Sequence, residues 1–294
     1  MPRRSSTGQV QSGPLLDRRS LRTVIVRSRP RFWLYLAGPV LVGLVYGAPS
    51  VETLLAPVPV ILFAYFLVPA NVLLYGVNDV FDAEVDVHNP KKSGREERFR
   101  GERSVVAAVV VSGLLALGFL PLLPPLALGW LAVFFALAVE YSAPPLRFKT
   151  TPFLDSLSNG LYVLPGVVAY VALAGRNPPV LALVGGWCWT MAMHTFSAIP
   201  DVGPDREAGI RTTATVLGER LSYGYCGALW VASALSFGAL DVRAGLLLAV
   251  YPVLVAAIAL SRVDVRRAYW WYPAVNGVVG MVFTLGGLWG LVYG

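Results

Sequence analysis

Residues 57–86 read PVPVILFAYFLVPANVLLYGVNDVFDAEVD. The first 21 of them, Pro57 to Val77, carry no charge and are almost entirely apolar. About 20 such residues in a helix cross the hydrocarbon of a bilayer. The next nine contain Asn78, Asp79, Asp82, Glu84 and Asp86. The stretch therefore predicts a membrane-spanning helix that delivers a cluster of acids to one membrane face.

The pattern extends along the chain. Only 14% of the 294 residues are charged, against about a quarter in a soluble domain, and mean hydropathy is +0.62. Uncharged apolar stretches lie at roughly 33–49, 57–77, 104–121, 125–142, 157–174, 180–199, 223–240, 243–260 and 270–293. Pro121, Pro124 and Pro125 divide the third from the fourth, since proline breaks helices. The predicted fold is an all-α membrane protein with nine transmembrane helices. Residues 1–27, polar and Arg-rich, are read as a disordered basic tail, and 28–294 as one polytopic domain.

An odd number of spans puts the termini on opposite sides. With this division, 22 of the 24 Lys and Arg residues fall on one side, leaving only Arg176 and Arg243 on the other. The positive-inside rule makes the rich side cytoplasmic, with the N-terminus. Of the 17 acids, all but Glu52 and Asp241 lie on or near that side. Acids contribute little to orientation, so their clustering points to chemistry. The net charge of +7 belongs to a membrane surface and an anion site and does not point to nucleic acid. Cys188 and Cys226, isolated in or beside apolar spans, make neither a zinc site nor a disulfide framework.

In a helix Asp79, Asp82 and Asp86 fall at i, i+3 and i+7 and share a face, with Asn78 adding a neutral oxygen. A second cluster, Ile199-Pro200-Asp201-Val202-Gly203-Pro204-Asp205-Arg206, ends the sixth stretch. Like charges this close repel unless a cation offsets them. Mg²⁺ takes oxygen ligands and characteristically shares one or two carboxylates with substrate phosphate. Two facing clusters suit Mg²⁺ across one diphosphate. Bases stand nearby: Arg29 before the first stretch, Lys92 and Arg95 after the first motif, Arg206 beside Asp205, and the loop Tyr141-Ser142-Ala143-Pro144-Pro145-Leu146-Arg147-Phe148-Lys149. His194 lies seven residues before Asp201, on the same helix face and about two turns deeper. It is a candidate for steering a cation, accepting a proton, or polar packing.

The Asn-Asp-x-x-Asp-x-x-x-Asp run, the Asp-x-x-x-Asp run and the Tyr-Ser-x-Pro-Pro-x-Arg-x-Lys loop between them resemble the UbiA-type intramembrane prenyltransferases, from about residue 28 to the C-terminus. The resemblance implies nine helices around a central cavity, with Mg²⁺-diphosphate under a cytoplasmic cap. By it, Asn78, Asp82, Asp201 and Asp205 match metal-holding positions, supported by Asp79 and Asp86. Asp82, Asp201 and Asp205 carry catalysis. Arg147 and Lys149 match diphosphate contacts, with Tyr141 nearby. Many relatives carry Arg-Thr and Arg-Pro pairs after the first motif; here Asn89-Pro90-Lys91-Lys92 stands instead, leaving open which base takes over.

A narrower resemblance, to lycopene elongases, rests on Asn89–Lys92, Ser156–Gly166 and His194–Asp201. It implies dimethylallyl diphosphate (DMAPP) as donor and lycopene as acceptor, with or without addition of water. Aromatic faces would shield the allylic cation; Tyr141, Tyr162, Phe196 and Trp189 are candidates. Other acceptors (aromatic, quinone precursor, haem or glycerol phosphate) and a membrane transporter are the alternatives. A transporter site would sit at the midplane, whereas these acids sit at one face.

Overall fold

The computed structural model describes residues 18–82, 101–261 and 263–294, apart from the side chain of Arg19. Every regular element among the described residues is helical. In chain order they are α1 (Arg18–Arg27), α2 (Trp33–Gly47), α3 (Val51–Leu54), α4 (Pro57–Leu67), α5 (Pro69–Phe81), α6 (Arg103–Leu115), α7 (Pro125–Glu140), α8 (Leu154–Leu157), α9 (Leu164–Ala174), α10 (Val180–Ala198), α11 (Val202–Glu207), α12 (Thr213–Gly238), α13 (Val242–Leu248), α14 (Val250–Leu260) and α15 (Val265–Tyr293), joined in places by short 3-10 turns.

The starts of these helices are written locally. Proline opens α4, α5 and α7, a position where its missing N–H costs nothing. Pro69 also separates α4 from α5, because the residue before proline leaves the helical region; Val68 sits at φ −121°. Thr212 and Thr215 form a capping box at the head of α12. Each anticipated apolar stretch overlies helix. Three segments are long and apolar enough to cross a bilayer: Pro57–Phe81, Val242–Leu260 and Val265–Tyr293. Leu154–Tyr162 with Leu164–Ala174, bent by 40°, is a fourth if counted as one span. Outward faces carry bare Leu246, Leu260 and Trp271, an apolar exterior suited to lipid and not to water.

The core divides in two, between the fifth and sixth apolar stretches. One cluster joins α2, α4, α5, α7 and α9; the other joins α10, α12, α14 and α15. Glycine is the reason α9 belongs with the first. A Cβ on Gly43 would strike the backbone of Gly166, and one on Gly166 would lie 2.6 Å from the Pro39 carbonyl. Without those side chains α2 and α9 approach backbone to backbone, the mode small residues permit in membranes.

The expected tail boundary at residue 28 also shifts. Residues 18–27 form α1, which packs on α5 and α6. Its last residue, Arg27, is 5% exposed because two carboxylates, Asp79 and Glu102, receive its guanidinium. Polar composition alone hides such a tertiary partner. Residues 1–17 lie outside the described residues.

Candidate active site

The first motif sits at the C-terminal end of α5. Asn78 is in its last turn, and Asp82 caps it, its N–H donating to the Asn78 carbonyl at 3.0 Å. A helix C-terminus carries partial negative charge, so two carboxylates there need cations, and the fold supplies them from two segments. Arg27 at the end of α1 lies 3.2 Å from Asp79, and Arg29, just beyond, lies 3.6 Å from its other oxygen. From the loop after α7, Arg147 lies 3.5 Å from Asp82, and Lys149 pairs with the same carboxylate oxygen. The face expected to be shared by Asp79 and Asp82 is thus divided between two sets of bases.

The loop that delivers Arg147 and Lys149 is closed on itself. The Lys149 N–H donates to the Tyr141 carbonyl at 3.1 Å, and the Leu146 N–H donates to Glu140 at 3.1 Å. Arg147 and Arg29 adopt left-handed backbone, φ 42° and φ 53°. That conformation is uncommon without glycine and concentrates at functional sites. Burial pushes the Lys149 ammonium down to about 8, with the charge of Asp79 acting in the opposite direction.

Behind these charges lies a cavity of about 120 Å³, whose lining includes Arg29, Tyr75, Asn78, Tyr141, Asn159 and Tyr162. The Arg29 guanidinium stands 4.8 Å from the centre of the Tyr75 ring, and Tyr162 meets Tyr35 edge-on. Of the aromatics expected to shield a cation, Tyr141 and Tyr162 line this cavity. Phe196 and Trp189 instead belong to the second core cluster, against Tyr272 and Tyr251.

The second motif follows α10. Asp201 closes a 3-10 turn and begins α11, and Asp205 lies in the first turn of α11, where the helix dipole favours negative charge. Arg206 donates twice to the Thr215 carbonyl, at 2.9 and 2.6 Å. Gly218 breaks the helical path of α12 just beyond, at φ 74°, so that carbonyl has an external donor. Asp86, Lys92 and Arg95 lie outside the described residues.

Asn78, Asp82, Asp201 and Asp205 offer only oxygen, the donor set of a hard cation. Among the described residues no three Asp, Glu, His or Cys side chains converge on one point. The donors therefore fit ions each held by one or two protein oxygens and completed by phosphate, and not an all-protein cage.

Several contacts escaped the sequence reading. Asp155, 1% exposed, faces His194, with Nε2 of the histidine 3.7 Å from its Oδ2. The visible signal was an acid in an otherwise apolar helix end, itself a functional candidate. Arg27, Tyr75 and Asn159 carried none.

The described residues thus form a helical bundle with an apolar exterior that gathers acids and bases beside an aromatic cavity, the layout of a membrane protein with a charged site. The chain belongs to the UbiA prenyltransferase family, whose sequence pattern matches residues 36–283, and is a multi-pass membrane prenyltransferase; the transporter alternative falls away. A Haloferax volcanii protein named lycopene elongase/hydratase is 64% identical over 282 residues, covering 96% of this chain and 93% of that one. A Halobacterium salinarum protein of the same name is 62% identical, covering 93% and 99%. In fold, the chain resembles a UbiA homologue from Archaeoglobus fulgidus bound to DMAPP and Mg²⁺, with a TM-score of 0.72, 18% identity, and 92% and 99% of the two chains covered.

Proposed function

We propose that this chain is a Mg²⁺-dependent transferase that moves dimethylallyl groups from DMAPP to both ends of lycopene, with water added to the product. The observation carrying this reading is the meeting of Asp82 with Arg147 and Lys149 beside the cavity that Asn78 and Tyr141 line. The acceptor rests on the relatives named above, at 64% and 62% identity. It is also consistent with a wall of ring faces and Leu side chains such as Leu74 and Leu161, since a polyene has no acid or hydroxyl to anchor.

In this reading nine helices cross the membrane and the site faces the cytoplasm. Mg²⁺, when bound, neutralises the leaving diphosphate. Asn78, Asp82, Asp201 and Asp205 hold it, with Asp86 in support, while Asp79 holds Arg29. Arg29, Arg147 and Lys149 bind the diphosphate oxygens, joined by Lys92, Arg95 and Arg206. The C–O bond of the donor breaks, its electron pair leaves with the diphosphate, and the allylic cation forms against the faces of Tyr141 and Tyr162. The terminal alkene of the acceptor supplies the pair for the new C–C bond.

The test is purified protein in lipid with DMAPP, Mg²⁺ and either lycopene or a hydroxybenzoate. Lycopene is expected to gain one five-carbon unit at each end, and excess chelator to stop the reaction. Prenylation of the hydroxybenzoate with lycopene untouched would overturn the acceptor.

A further inference from the structure

The residues that line the cavity include no base suited to neutral pH. Arg29 is permanently charged, Asn78 and Asn159 are amides, and Tyr75, Tyr141 and Tyr162 are phenols. Asp79 and Asp82, nearby, are engaged by cations. Quenching the acceptor cation nevertheless releases a proton, whether a C–H bond breaks or water adds. The electrostatics that stabilise a departing diphosphate do not by themselves supply an acceptor for it.

One ring back from the cavity stands an imidazole. His194 meets Tyr141 edge-on, with centroids 6.0 Å apart and planes at 90°, and its side chain is 17% exposed. On its other side is Asp155, a member of neither acidic motif. The Asp155 carboxylate accepts the Thr213 N–H at 2.9 Å and the Thr213 hydroxyl, and its Oδ2 faces His194 Nε2. Its backbone is held as well, because Asn159 donates to the Asp155 carbonyl at 2.6 Å. The next residue, Ser156, accepts from Thr195 on α10 at 3.1 Å and from Tyr225 on α12 at 3.2 Å. The carboxylate is therefore fixed by three elements before the histidine is considered. At 3.7 Å that carboxylate is placed to favour a positive charge on the imidazole by proximity. A buried carboxylate beside an imidazole stabilises the imidazolium that forms when it takes a proton.

We propose that His194, oriented by Asp155, is the proton acceptor of the hydration step, and that Asp155 is its positioning residue. This inference rests on the elongase reading above. Water at the edge of Tyr141 gives a lone pair to the tertiary cation left by C–C bond formation. The C–O bond forms, one water O–H bond breaks, and that proton goes to the free ring nitrogen of His194. No oxidant or reductant is involved. When the base is missing, the cation closes by losing a C–H proton to the released diphosphate, and the product is an alkene lacking that water.

The experiment uses full-length protein in lipid with DMAPP, Mg²⁺, lycopene and ¹⁸O-labelled water. It reads two quantities separately: diphosphate released, and the ratio of hydrated to unhydrated elongated product. In His194→Gln that ratio is expected to fall by roughly tenfold or more. Asp155→Asn keeps an oxygen for Thr213 and should move it in the same direction. Because the ratio is taken among product molecules, partial loss of folded enzyme does not change it. A wild-type ratio in both variants would overturn the proposal. So would loss of diphosphate release in both folded variants, since the base acts after ionisation. A wild-type enzyme that elongates lycopene without incorporating ¹⁸O would overturn the proposal and spare the elongase reading; a wild-type enzyme that leaves lycopene untouched would overturn the reading itself.

Discussion

Arg27 Nη1 and Asp79 Oδ2 lie 3.2 Å apart, at 3% and 5% side-chain exposure, and this pair joins the first helix to the acidic motif. Glu102 takes the other end of the guanidinium at 3.0 Å, and Asp79 extends its second oxygen to Arg29. The residue that the motif spacing suggests as metal support is therefore the hub of a buried ion network, and its reach into the cavity runs through Arg29.

Asp79→Asn keeps the shape of the side chain and removes its charge. Arg27 would then stay buried with Glu102 as its remaining described carboxylate. Breaking a buried pair typically costs about 3–5 kcal/mol, and with one partner kept the lower end, about 3 kcal/mol, is expected. Thermal unfolding in detergent should show a clear drop in Tm, accompanied by weaker DMAPP binding as Arg29 loosens. An unchanged Tm would mean that the network does not stabilise the fold.

Asp82 and Asp205 are expected to matter more for turnover than for stability. The Asp82 side chain is 14% exposed and sits at a helix end that disfavours negative charge, which offsets part of the loss of its pairs with Arg147 and Lys149, so Asp82→Ala should lower Tm less than Asp79→Asn. Asp205 is half-buried at the head of α11. Either alanine variant should reduce turnover by at least about 100-fold while the protein still elutes as a folded species. Full activity of either variant in excess chelator would remove the metal from the mechanism.

Spacing in the sequence exposes faces, and packing decides partners. The apolar stretches, both acidic motifs and the Tyr141–Lys149 loop were legible because each is a local pattern of hydropathy or charge. Arg27 reads as tail because polar residues at a terminus look alike whether or not a carboxylate 52 positions away receives one of them. Asp155 and Thr213 are 58 positions apart, so no periodicity could join them. The membership of α9 in the first core followed from Gly43 and Gly166 meeting, and a glycine in an apolar run does not announce which helix will approach it.

Arg147 and Lys149 give a prediction about substrate binding. Both are aimed at Asp82 by a loop whose ends are hydrogen-bonded together. Removing a hydrogen bond to a charged group costs about 1.5–3 kcal/mol. Lys149→Met or Arg147→Met should therefore lower kcat/KM for DMAPP by roughly ten- to a hundredfold. Steady-state kinetics with saturating acceptor would check this, and a loss of acceptor affinity alone would contradict it.

The α2–α9 contact predicts a stability difference between glycines. Gly43→Ala would push a methyl into the Gly166 backbone, whereas Gly129→Ala, on α7, meets nothing within 4 Å. Overpacking costs about 1–3 kcal/mol, while replacing an open helical glycine gains up to about 1 kcal/mol. The two Tm shifts should have opposite signs. A Gly43→Ala protein as stable as the parent would show that the helices can separate without loss.

The longest helix predicts the topology. Near its start α15 touches the basic end of the bundle: Arg266 donates to the Pro200 carbonyl at 3.2 Å, and Arg31 reaches the Trp270 carbonyl at 2.7 Å while stacking on its ring. From there 29 residues of helix run to Tyr293, a length of about 44 Å at 1.5 Å per residue. A hydrocarbon core is about 30 Å thick, so a helix that begins beside Pro200 has enough length to end beyond the opposite face. The sequence places 22 of 24 basic residues at the starting side, and positive charge marks the cytoplasm. A reporter fused after Gly294 should therefore read as outside the cytoplasm, and one inserted at Gly209, eight residues after Asp201 in the second motif, as inside. Both reporters on one side would mean that α15 does not cross, and the odd number of spans would fall with it.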